Sequence, residues 1–89
     1  MWLIRGVFQL TYNEAVSLRI IKLCNEKHIT INKLATLSGI TQSTLDNIIK
    51  GNSKNPSIKT LHRIANGLDM TISEFLDFEE INDAVFDDD

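Results

Sequence analysis

From Asn13 onward, apolar residues recur at helical spacing, and short polar clusters separate the runs. Val16, Ile20, Leu23 and Cys24 share one face of the stretch Asn13 to Lys27, which predicts a first helix. Asn13 is read as its N-cap, with Glu14 in the first turn, where the helix dipole favours an acid. One entry device then occurs three times: an apolar residue, a Thr cap, and a second apolar residue four positions into the helix, the spacing of a hydrophobic staple. Ile29-Thr30 with Leu34 opens helix 2, Ile40-Thr41 with Leu45 opens helix 3, and Met70-Thr71 with Phe75 opens helix 5. Thr71 and Glu74 add the reciprocal pair of a capping box.

Gly39 and Gly51 end helices 2 and 3, because glycine turns the chain through the left-handed region without a Cβ clash. Gly51 to Pro56 reads as a loop. Ser57 caps helix 4, Ile58 to Asn66, whose stripe is Leu61, Ile64 and Ala65 and whose terminator is read as Gly67. The expectation is an all-α fold of five short helices. Phe78, Ile81, Val85 and Phe86 keep helical spacing, so an extra acidic amphipathic helix or a frayed tail follows; the pattern supports both. Residues 1–12 form an amino-terminal arm that the pattern leaves open as a strand, a docking arm or a remnant of an upstream start. Residues 13–76 are then the folded domain and 77–89 an acidic tail.

With 89 residues and 43% apolar content, the chain fits one core that needs no disulfide or metal. Cys24 is the one cysteine and reads as core filling on helix 1; without zinc-ligand spacing the expected compartment is reducing, the cytoplasm. Arg5 and Gly6 break the apolar start as a secretion signal, and no apolar run nears the roughly 20 residues a membrane span needs. The net charge of −3 conceals a segregation: between Asn13 and Ser73 eight basic residues face four acids, whereas Glu74 to Asp89 holds eight acids and no base. A basic body carries an acidic tail.

The most informative stretch is Ile31 to Lys50, two short helices that must cross closely for the second to project. Ala35 permits the approach, Gly39 makes the turn, and Leu34, Ile40, Leu45 and Ile48 fix the angle. The run Leu34-Ala35, Gly39-Ile40-Thr41-Gln42-Ser43-Thr44-Leu45, Gly51, and Pro56-Ser57 through Leu61, Ile64 and Ala65 resembles the lambda-repressor and Cro-like family, also called the xenobiotic-response-element family, of helix-turn-helix regulators. The resemblance spans about Asn13 to Leu76. It implies a five-helix lambda-repressor-like bundle whose third helix enters the DNA major groove, usually in a homodimer on a two-fold-related operator. Ile31 stands where the family often carries a Gln that braces the recognition helix, and Ser38 where an apolar residue is common.

Independently of that resemblance, helix 3 presents amides outward. Gln and Asn carry an acceptor beside a donor, the pattern that pairs with adenine N6 and N7. Gln42, Ser43 and Asn47 are the expected base contacts, while Thr44, Lys50, Asn52, Lys54, Asn55 and Lys59 are the expected phosphate contacts that position without specifying. Asp46 is expected to pair with Lys50 at i+4. No nucleophile with a base, glycine-rich phosphate loop or metal set is visible, so neither an enzyme nor a cofactor is expected. The leading expectation is a sequence-specific transcriptional regulator of double-stranded DNA, a repressor acting by promoter occupancy. The rival is an antitoxin-like module that holds a protein partner through Phe78, Ile81, Val85 and Phe86 of the acidic tail.

Overall fold

A computed structural model describes residues 9–52 and 55–86; the expectations placed on residues 1–8, on Lys54 and on residues 87–89 lie outside it. Among the described residues six helices follow in order: α1 Tyr12–Lys27, α2 Ile31–Ser38, α3 Gln42–Lys50, α4 Ile58–Gly67, α5 Ile72–Phe75 and α6 Glu79–Asp83. Among the described residues the one piece of extended pairing is a parallel bridge between Thr11 and Val85. No helix among them is long and apolar enough to cross a membrane.

Helices α2, α3 and α4 begin at the Thr and Ser caps read from the sequence: Thr30, Thr41 and Ser57 each accept the backbone N–H three residues on. Gly39 and Gly51 close α2 and α3 at φ +70 and +84, the left-handed region. Two helix ends differ from expectation. The cap of α1 is Thr11, not Asn13: its hydroxyl accepts from Glu14 N at 3.2 Å, and Glu14 Oε1 accepts from Thr11 N at 2.9 Å. Thr11 has an acid three residues on and Asn13 has Val16, so Thr11 alone can satisfy two orphan donors reciprocally. Thr11→Ala should therefore cost about 1 kcal/mol in urea unfolding, and Asn13→Ala markedly less. A larger loss for Asn13→Ala would return the cap to Asn13.

The second difference is Gly67. It stays inside α4 as its last residue, and the left-handed terminator is Asp69, at φ +61. The amide of Asp69 bonds Asn66 O at 3.0 Å and that of Met70 bonds Ala65 O at 2.9 Å, closing the last carbonyls.

Ile20, Leu34, Leu45, Ile48, Ile64, Leu68 and Phe75 are fully buried and join α1 to α5 in one core. Cys24 is part of it, and burial pushes its thiol up from the ordinary value, as a packing residue requires. Helix α5 is a single turn held by the Thr71–Glu74 capping box. The Thr71 amide, and then its hydroxyl, hold the Glu74 carboxyl below its usual range. That contribution is present above the ordinary carboxylate range and is lost as pH falls through the lowered value.

The acidic segment is helical over Glu79–Asp83 and lies against α1. Ile81 packs on the core, Val85 N donates to Leu10 O at 2.8 Å, and the Phe86 ring sits 5.4 Å from that of Tyr12. Of the four apolar residues expected to be free for a partner, Phe78, Ile81 and Val85 are half-buried on their own chain, and Phe86 alone is largely exposed.

Candidate nucleic-acid interface

Helix α3 is amphipathic because its nine residues divide cleanly. Leu45 and Ile48 are buried and Ile49 is half-buried, while Gln42, Ser43, Thr44, Asn47 and Lys50 are exposed. At about 100° per residue, Gln42, Asp46, Lys50, Ser43 and Asn47 occupy one arc of roughly 140°. The two amides bracket it, Gln42 at the helix start and Asn47 just over a turn later.

Both ends of the helix are held. At the start, Thr41 accepts from Thr44 N at 3.0 Å and its hydroxyl lies 2.9 Å from that of Thr44, so the Thr44 side chain already has a partner in the cap. The preceding turn is braced from α4: Arg63 Nη1 donates to Gly39 O at 3.3 Å. At the far end, Ser17 Oγ of α1 donates to Ile49 O at 2.8 Å. Ile31, in the place where the resemblance leads one to expect Gln, packs half-buried against the core.

The expected phosphate contacts flank this helix. Lys50 and Asn52 follow its exposed face, and Asn55 and Lys59 stand exposed where the chain enters α4. At that entry Ser57 accepts from Thr60 N at 3.1 Å, and the remaining amides of the first turn carry the positive end of the helix dipole. Asp46 is half-buried, and among the described residues no ion pair joins it to Lys50.

Sequence reasoning missed Ser17 and Arg63, which hold this helix, and Arg19, which holds α5. Arg19, one of the basic residues of the body, is bonded to the protein's own backbone. Its Nε donates to Phe75 O and its Nη2 to Glu74 O, both at 2.9 Å, and its guanidinium sits 4.9 Å from the Phe78 ring centre. Their partners are backbone carbonyls far along the chain, for which the local sequence carries no signal.

Residues 19–80 match the family described as the Cro/C1-type HTH DNA-binding domain. The HTH-type transcriptional regulator SlrR of Bacillus subtilis (strain 168) is 37% identical over 62 residues, 68% of this chain; that stretch is 41% of SlrR, so the chain spans well under half of this relative. Among solved structures, prophage Lp1 protein 11 is similar with a TM-score of 0.74 and 35% identity, over 83% of this chain and 97% of that one. SinR, the master regulator for biofilm formation, solved in complex with DNA, is similar with a TM-score of 0.62 and 31% identity, over 70% of this chain and 98% of SinR as solved.

Proposed function

The chain belongs to the Cro/C1-type helix-turn-helix DNA-binding domain family, and from that premise we propose that it regulates transcription by reading double-stranded DNA in the major groove with α3. The observation that carries the reading is the polar arc of α3, where the side chains of Gln42, Ser43 and Asn47 are exposed and have no hydrogen-bond partner among the described residues, raised on a helix held at both ends. Gln42, Ser43 and Asn47 read base edges. Lys50, Asn52, Lys54, Asn55 and Lys59 grip phosphate, with Thr44 contributing through the oxygen lone pair its cap leaves open.

The protein acts as a homodimer in the cytoplasm and represses by occupying its operator. Two subunits are needed because the basic body is only modestly charged. Each phosphate neutralised steepens the log-log salt slope by about 0.9, and one copy makes few such contacts. With three of its four apolar anchors half-buried on their own chain, the rival reading of the tail as a protein-binding module has less surface to stand on.

The test is selection from random duplexes, then titration of the selected duplex at two salt concentrations. Gln42→Ala or Asn47→Ala should lower affinity for the selected duplex by about 1–3 kcal/mol and relax preference at one position. Lys59→Ala should weaken every duplex alike and reduce the salt slope by about one. Equal weak binding to all duplexes, with nothing enriched, would sink the proposal.

A further inference from the structure

The last carbonyls of α3 are satisfied in an uneven way. Asn47 O accepts from Asn52 N at 2.9 Å and Ile48 O from Gly51 N at 3.3 Å, both within the helix's own terminal turn. Ile49 O instead accepts from another helix, through the Ser17 hydroxyl at 2.8 Å. Ser17 is buried. One turn earlier on α1, the Asn13 amide lies so near Gly51 that a Cβ there would meet Asn13 Nδ2 at 2.9 Å. The first turns of α1 therefore close on the terminal turn of α3.

We propose that Ser17 is a positioning residue for sequence recognition: it fixes the pitch of α3 by holding the Ile49 carbonyl, and so sets where Asn47 and Lys50 reach. The inference rests on the DNA-reading function proposed above. Leu45 and Ile48 seat the helix through apolar contact, which has no direction and permits rocking about the buried face. The Ser17 bond is directional and lies at the end farthest from the Thr41 cap, where a given rotation moves side chains most. Hydrogen bonds to a base edge weaken steeply with misalignment, whereas a lysine on a flexible stem follows its phosphate. Loss of the tether therefore weakens discrimination more than general affinity.

The experiment uses the full chain, with Ser17→Ala compared against Ile72→Val, a conservative core change on α5. Ser17→Ala should bind the selected duplex about threefold to tenfold more weakly and a random duplex nearly as the wild type does. Amide exchange at Gly51 and Asn52, read without DNA, should quicken. Ile72→Val should lower the melting temperature without changing the ratio of the two affinities. An unchanged ratio in Ser17→Ala, or an equal fall in Ile72→Val, overturns the role of Ser17. A wild type that does not distinguish selected from random duplexes overturns the DNA reading first, and this role with it.

Discussion

Gly67→Ala is expected to destabilise the protein by about 2 kcal/mol, although the same change in an isolated helix would stabilise it by nearly 1 kcal/mol. For a domain of this size the loss corresponds to roughly 8–16 °C in melting temperature. Gly67 is helical, so the cost does not come from a special backbone angle. It comes from the crossing of α4 with α2. A Cβ at Gly67 would overlap the Ser38 hydroxyl, stand 3.0 Å from the Ser38 backbone nitrogen and 3.1 Å from Leu34 Cδ1. Leu34 is fully buried and Ser38 nearly so, leaving little room for either to yield.

The same contact explains Ser38. Its Oγ is buried and has no hydrogen-bond partner among the described residues, so Ser38→Ala should be neutral or slightly stabilising. In the double variant, Ser38→Ala should recover part of the Gly67→Ala loss. The remainder should persist, because the backbone nitrogen and Leu34 stay where they are. Thermal unfolding of the four proteins measures this, and a Gly67→Ala variant more stable than the wild type would show that glycine is not needed at this crossing.

Gly67 also shows where the sequence stops speaking. A glycine after an apolar stripe marks a helix end or a close approach of two backbones, and the local pattern is the same for both. Gly39 and Gly51 were legible because a Thr cap, an apolar staple or a polar loop beside each fixed its meaning. Caps Thr30, Thr41, Ser57 and Thr71 were legible for a like reason: the bonds they make span three residues. Thr11 was missed because Asn13 is also a good cap, and only the position of Glu14 separates them.

The exposed arc of α3 could be placed from periodicity, since an amphipathic helix of nine residues has one way to sit on a core. What fixes that helix in space could not. Ser17 and Arg63 reach carbonyls 32 and 24 residues away, and any backbone offers carbonyls; Arg19, which holds α5, reaches 55 residues and more. The acidic segment was ambiguous on the same ground, its order depending on Leu10, Tyr12 and Arg19 rather than on itself.

Arg19→Ala should be the other costly substitution, at about 2–4 kcal/mol. Helix α5 is one turn long, too short to persist on its own, and while Glu74 O also accepts from Asp77 N at 3.2 Å, Phe75 O takes its donor from Arg19. Arg19 supplies two donors, to Glu74 O and Phe75 O, and lays the same guanidinium against Phe78 at the entry to α6. Charged hydrogen bonds contribute about 1.5–3 kcal/mol each when shielded, but the bond to Glu74 is exposed and contributes less, which leaves a sum of about 2–4 kcal/mol.

Arg19→Lys should restore less than half of the loss, because an ammonium cannot serve two carbonyls in one plane while stacking on a ring. Both variants should make the segment from Asp77 to Phe86 more open to protease, since α6 rests on the helix that carries Arg19. The salt slope of DNA binding should not move, because this guanidinium is already committed to the protein's own carbonyls. A full rescue by lysine, or a slope reduced by about one as for a lost phosphate contact, would show that Arg19 acts through its charge on DNA instead.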